Sequence, residues 1–475
     1  MANQRSFCCR TKIRFFLTLT LVAAAALFLF NIATQILDIP PSRRDFIQRE
    51  YEDRGEIIRK WRKEKSQPGI NQLLEPCHVR GRNAIRVLGL DKNSEGGASA
   101  QHCRHPLFLP QNDSISSYFS KRPPLKCKVP EELQCGYSGG KITVAADWSC
   151  LLQAINRPDS KDSVVEYTSP QLLTRSVDVQ ELKLDKDFYR LSCVPNKHLV
   201  GTESQKPLGK LEMMVADGET SEQHFFTHIS SYPDGELDLC PSDKCLPYNV
   251  LILGVGSLSQ ASFRRLLPKT YDYFTNTLLS SQFTGYNVVG DGATGALLPL
   301  LTGLDESHQV EARINKEHSH YMDRMELLWN AYDRQGYATL YAEDHPSSNT
   351  FNERFQGFER TPTAHYMRPF WLAAESHLSQ EFCLGEKPKH QYMLDYLLDF
   401  FSAYKKDRKF AIAMLKELTQ TDLSLAQHLD DDLLKFLMTM SPFLQNTLVI
   451  LMTDHGLIPD QVLKFLVSTL QTLKD

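Results

Sequence analysis

Apolar and polar positions follow three different rhythms along this chain. From Phe15 to Leu37 the run FFLTLTLVAAAALFLFNIATQIL carries no charged residue and is long enough to cross a bilayer as one helix. Arg5, Arg10, Lys12 and Arg14 precede it with no acid among them. The positive-inside bias then leaves residues 1–14 cytoplasmic and everything after Asp38 luminal or extracellular. A cleaved signal peptide is the rival reading, but the run exceeds a usual h-region and no small-x-small site follows closely. The charged, breaker-poor stretch RRDFIQREYEDRGEIIRKWRKEKSQ predicts an exposed helical stalk within residues 38–70.

Residues 71–245 change rhythm to short alternating runs such as KITVAADW between Pro- and Gly-marked loops, which predicts a β-containing domain. At Asn249 the pattern changes again. NVLILGVG is a compact apolar run ending in Gly, as expected of a strand buried on both faces of a parallel sheet. The segment SQASFRRLLPKTYDYFTNTLL then has helical spacing, and FTGYNVVGDGATGALLPLLTG predicts a short strand, a loop and another helix start. The alternation continues through ELLWNAYDRQ, YATLYAED, HQYMLDYLLDFFSAY, KFAIAML, DDDLLKFLMTM and NTLVILMTDHG. Strands separated by helices imply βαβ units and a mostly parallel sheet flanked by helices over residues 246–475. Sites in such sheets lie beyond the carboxyl ends of the strands. That rule selects Gly254 to Ser257, Ala342 to Asp344, Glu417 to Gln420 and Thr453 to Gly456.

Composition narrows the partners. The chain has 475 residues, 42% hydrophobic and 23% charged, enough for a sizeable core, and a net charge of −4 with scattered Lys and Arg excludes a nucleic-acid face. Cys8 and Cys9 lie just before the apolar run, as thiols or palmitoylation sites. Of the other nine cysteines, eight (Cys77, Cys103, Cys127, Cys135, Cys150, Cys193, Cys240 and Cys245) precede residue 250, and Cys383 follows. On the extracytoplasmic side they predict a disulfide-stapled region with one thiol left over, the pairing itself staying open. Cys240 and Cys245 fit a disulfide better than a metal pair, because no second pair matches their spacing. Asn112-Asp113-Ser114 is the sole glycosylation sequon.

The most informative hexapeptide for chemistry is LMTDHG. It places Asp454 and His455 together at a strand end, where a carboxylate beside an imidazole suits zinc or manganese. A helix cap hydrogen-bonded to the loop is the alternative. Gly254-x-Gly256 lacks the third glycine of a dinucleotide site, since Ser259 stands there, and GDGATG lacks the Gly-Lys-Ser/Thr of a phosphate loop.

Taken in order, NVLILGV, FTGYNVVGD, LLPLLTG, GYATLYAEDHPSSNTFN, CLGEKPKH, DDDLLKFL and NTLVILMTDHG resemble the "domain of unknown function 229" family, a branch of the alkaline phosphatase/sulfatase superfamily. The resemblance runs from about residue 240 to residue 457. It implies a central, mostly parallel sheet between helices and two-metal hydrolysis of phosphate or sulfate esters, in which the ions activate the nucleophile and clamp attacking and leaving oxygens. Several family positions are altered. GVGSLSQ puts Gly256 where the family has its first Asp ligand, leaving only the uncharged hydroxyl of Ser257 beside it. GDGATGALLPLLTG puts Ala293 at the nucleophilic Thr, so Thr294, one residue later, is the candidate nucleophile, with helix-cap duty as its alternative. ELTQTDLS has Gln420 and Thr421 for the family's His and first acid, and keeps Asp422. His428 and the acidic run Asp430 to Asp432 are expected on the solvated face of a helix. Asp454 and His455 match in full and are the metal-ligand candidates, while no His follows His455, so the C-terminal part of the family domain is expected to be missing. The expectation is therefore an anchored, extracytoplasmic protein with an incomplete metal site, serving as a scaffold or binding protein for a protein or glycan. The alternative is a zinc- or manganese-dependent ester hydrolase with a rearranged site.

Overall fold

The computed structural model describes residues 119–128, 134–198, 222–230, 248–283, 286–290, 292–420 and 422–456. The apolar run Phe15–Leu37, the stalk, the sequon at Asn112 and the pair Cys240 and Cys245 lie outside them. No helix among the described residues is long and apolar enough to cross a membrane. The chain divides into two compact units, one of residues 109–271 with 287–475 and one of residues 1–108 with 272–286. Of the smaller, a short wide-turned helix at Tyr273–Thr277 is described. Every other element below belongs to the larger.

That unit begins with antiparallel structure. Strands β1 (Cys135–Ser138), β2 (Lys141–Val144) and β6 (Val177–Asp178) form a small sheet. Buried and exposed residues alternate along β2, the half-buried pattern that KITV predicts. A second sheet has the order β4 (Glu166–Tyr167), β3 (Trp148–Asn156), β7 (Phe188–Pro195), β8 (Glu222–Thr227), with β5 (Gln171–Leu173) also on β3. Ile142, Leu152, Leu191 and Phe226 belong to the apolar core shared by these strands.

The second half builds a five-stranded, wholly parallel sheet in the order β11 (His365–Tyr366), β10 (Ala338–Glu343), β14 (Lys409–Leu415), β9 (Asn249–Val255), β15 (Thr447–Met452). A two-stranded ribbon, β12 (Cys383–Leu384) with β13 (Lys387–Pro388), precedes β14. Every residue of β10 and β14 is buried, so their apolar runs are those of strands covered on both faces. Edge strand β15 is different, with Leu448 and Ile450 exposed. Helices at Gly292–Thr302, Lys389–Ala403 and Leu429–Thr439 follow the expected pattern, and Arg368–Ala374 adds one outside the predicted segments. A mixed α/β protein with a parallel sheet between helices is what the alternation predicts. On one side of this sheet Trp329 stacks on Tyr341 with ring centroids 5.1 Å apart, beside Phe351, Phe358 and Tyr366.

Two expectations are corrected. Residues 286–290 form no strand: Val288 and Val289 are exposed and no neighbouring strand pairs with them, so their β-branched side chains have no pleated surface to pack on. Nor is the acidic run Asp430 to Asp432 a solvated face as a whole. Asp430 is 5% exposed, and its carboxylate accepts the backbone N–H groups of Lys269 (3.1 Å) and Thr270 (2.8 Å). Asp432 lies 2.7 Å from Nε2 of buried His390, and burial opposes its charge while that contact carries its pKa below the usual range. Both carboxylates dock the helix onto its neighbours.

Candidate functional site

The parallel strands end together, and their carboxyl ends bring the candidate residues to one edge. After β9 the backbone passes through Gly256 to Ser257, whose φ of 62° lies in the left-handed region that non-glycine residues seldom adopt. The Ser257 N–H donates to Asp454 Oδ1 at 2.9 Å, which ties this strained turn to the end of β15. The same oxygen accepts the His455 N–H at 2.8 Å and lies 3.1 Å from His455 Nδ1. Asp454 is 2% exposed. Burial opposes its charge, but the contact with His455, the Ser257 N–H and the positive charge of Lys416 together hold its pKa below the ordinary carboxylate value. Thus Asp454 and His455 do emerge side by side, and Asp454 Oδ1 is already engaged in holding the turn.

Beside Gly256 runs a lysine side chain. A Cβ added to Gly256 would lie 3.0 Å from Lys416 Cγ and 3.6 Å from Thr419 Oγ1, so the Lys416 side chain runs along the glycine. Its ammonium donates to Glu343 Oε2 at 3.1 Å and to Thr350 Oγ1 at 2.6 Å, with the Lys416 side chain 1% and that of Glu343 0% exposed. Glu343 also accepts the Tyr341 hydroxyl on Oε1 at 2.5 Å and the Thr350 N–H on Oε2 at 2.9 Å. A buried pair supplied with extra hydrogen bonds on both members is the arrangement that offsets the cost of taking two charges out of water. Asp344, next along β10, accepts the N–H groups of Lys416 (2.7 Å) and Glu417 (3.1 Å); burial raises its pKa and those two bonds oppose the rise. Glycine at 254 has a simpler reason, since a Cβ there would overlap the Met414 sulfur.

Thr294 sits near the start of the helix Gly292–Thr302, 4% exposed, and donates its hydroxyl to the Thr350 carbonyl at 2.8 Å. One residue, Thr350, therefore receives the candidate nucleophile on its carbonyl and the lysine on its hydroxyl. Gln420 is exposed, and Thr421 lies outside the described residues. Asp422 accepts the Ser424 N–H at 2.8 Å and pairs with Arg122, which makes it a turn cap. His428 is half-buried, and burial lowers its pKa.

Sequence reasoning missed Lys416, Lys389 and His345. Lys389 is 1% exposed and bridges Glu375 (3.0 Å) and Glu417 (2.8 Å), while His345 Nε2 lies 3.7 Å from Glu417 and its Nδ1 accepts the Ser348 N–H at 3.1 Å. A lysine directly after the apolar run KFAIAML was the available signal, since a charge that close to a doubly buried strand needs a partner.

The residues present do not fit a pair of hydrolytic metal ions. Such a centre needs several negative or imidazole ligands converging on each ion. Here Gly256 supplies none, the aliphatic part of Lys416 runs along it, and the Glu343 carboxylate is paired with the Lys416 ammonium. Among the described residues, the one trio of His, Cys, Asp or Glu ligand atoms lying within 4.8 Å of one another is Cys135, Cys150 and Cys193, in the antiparallel part of the chain.

Fold and strand-end geometry define a mixed α/β protein with a parallel sheet whose site edge carries a lysine–glutamate pair. Residues 133–469 match the family described as "Protein of unknown function (DUF229)", and the chain belongs to that family. Among curated proteins, none matches the sequence.

Proposed function

We infer that this chain is a membrane-anchored, extracytoplasmic protein whose alkaline phosphatase/sulfatase-like domain has lost its metal chemistry and serves as a scaffold or binding module for a protein or glycan. The anchor rests on the uncharged run Phe15–Leu37 and its basic flank, and the superfamily on the ordered motifs from NVLILGV to LMTDHG. One observation carries the loss of catalysis: Gly256, at the family position of the first ligand, has no side chain to offer, and the Lys416 stem runs beside it on its way to a buried pair with Glu343. Thr294, one residue past the family's nucleophile position, is committed to a backbone carbonyl.

The test is hydrolysis of 4-nitrophenyl phosphate and 4-nitrophenyl sulfate by the detergent-solubilised full chain, with zinc or manganese added. The expected result is product release no faster than in buffer with the metal alone. Turnover that disappears in Asp454→Ala would overturn the reading in favour of a metal-dependent hydrolase.

A further inference from the structure

Three cysteines from three strands meet in the antiparallel core. Cys150 and Cys193 are direct cross-strand partners in the β3/β7 register and are joined as a disulfide. Cys135, on β1, is a free thiol whose Sγ lies 3.5 Å from Cys150 Sγ. All three residues are 0% exposed, and their sulfurs lie within 4.8 Å of one another. A third sulfur in van der Waals contact with a disulfide is the starting arrangement for thiol–disulfide exchange, whose rate depends on access and on the thiolate fraction of the attacker. Here access is internal and permanent, and burial among Ile142, Leu152 and Leu191 keeps external thiols out.

We propose that Cys135, Cys150 and Cys193 form an internal exchange site in which Cys150 alternates between two disulfide partners. The Cys135 thiolate attacks Cys150 Sγ, a Cys135–Cys150 bond forms, the Cys150–Cys193 bond breaks, and Cys193 leaves as a thiolate that takes up the proton Cys135 gave up. One disulfide and one thiol stand on each side, so no oxidant or reductant is consumed. In one state the staple joins β3 to β7 within the larger antiparallel sheet; in the other it joins β3 to β1 of the small sheet. The site therefore selects which pair of strands is covalently held.

Exchange is slow at neutral pH and accelerates in base. Burial, above all, pushes the Cys135 thiol up to about 11, with the carboxylates of Glu222 and Asp147 adding to the rise and a backbone hydrogen bond with Ala145 opposing it. Because the thiolate is the attacking form, its fraction grows about tenfold for each pH unit below that value.

The experiment is disulfide mapping on the unreduced full chain. After incubation between pH 7 and pH 9, samples are quenched in acid, free thiols are blocked, and tryptic peptides are read by mass spectrometry. Cleavage after Lys128, Lys141, Arg190 and Lys197 separates the three cysteines. The proposal expects the blocking label on both Cys135 and Cys193, a Cys135–Cys150 linked peptide that appears faster at higher pH, and label confined to Cys150 or Cys193 being absent in Cys135→Ser. In Cys193→Ser it expects a Cys135–Cys150 disulfide. Label confined to Cys135 in the natural chain after long incubation at the highest pH, or Cys135 found bonded to a cysteine outside the trio, would overturn it.

Discussion

Replacing Asp162 with alanine is expected to lower the unfolding free energy by about 3–5 kcal/mol, the cost typical of breaking a buried, hydrogen-bonded ion pair from one side. Asp162 lies in the loop after β3, its side chain 2% exposed, and receives Arg157 Nε at 2.8 Å. The same carboxylate accepts Asn352 Nδ2 at 2.7 Å, the Phe358 N–H at 3.1 Å and the Tyr366 hydroxyl at 3.1 Å. Arg368 Nε donates to the Asp162 carbonyl at 2.7 Å and its Nη1 to the Pro346 carbonyl at 2.6 Å. One loop residue thus ties the antiparallel half to β11 and to the loops beside the parallel sheet. Alanine would leave Arg157 buried without its carboxylate and strand three donors. Urea unfolding followed by circular dichroism checks this, with exposed Asp159→Ala as a control expected to change stability by less than about 0.5 kcal/mol. A loss in Asp162→Ala no larger than in the control would contradict the role.

Lys416→Met is expected to cost a similar amount, about 3–5 kcal/mol near neutral pH, because it leaves Glu343 charged and unpaired in the interior. The double variant Lys416→Met/Glu343→Gln should recover most of the loss, since no charge is left buried and the amide can still meet Tyr341 and the Thr350 N–H. No recovery in the double variant would show that packing rather than charge governs the site.

The fold was legible where burial imposes a pattern. NVLILGV and KFAIAML read as doubly covered strands because a parallel sheet leaves no polar face, and HQYMLDYLLDFFSAY reads as a helix because its apolar spacing matches one buried stripe. NVV at 287–289 misled because β-branched residues favour strands only where a neighbour strand waits, and none does. Asp454 and His455 could be placed at a strand end from the run preceding them. Their duties could not, because those depend on Ser257, whose turn lies 197 positions earlier in the chain. The same holds for Glu343 and Lys416, 73 positions apart, and for Asp162, whose partners extend to Arg368. Local pattern carries no record of such pairings. It does record Gly256 and Ala293, and the structure adds that the Lys416 side chain runs beside the first of them.

If the proposed loss of metal chemistry holds, the strand ends around Gly256 and the Lys416–Glu343 pair retain no divalent ion. Elemental analysis of the solubilised full chain, after dialysis against zinc or manganese and removal of free metal, tests it most directly. Far less than one ion per chain is expected, unchanged in Asp454→Ala/His455→Ala. Near-stoichiometric zinc or manganese that this double variant loses would contradict it.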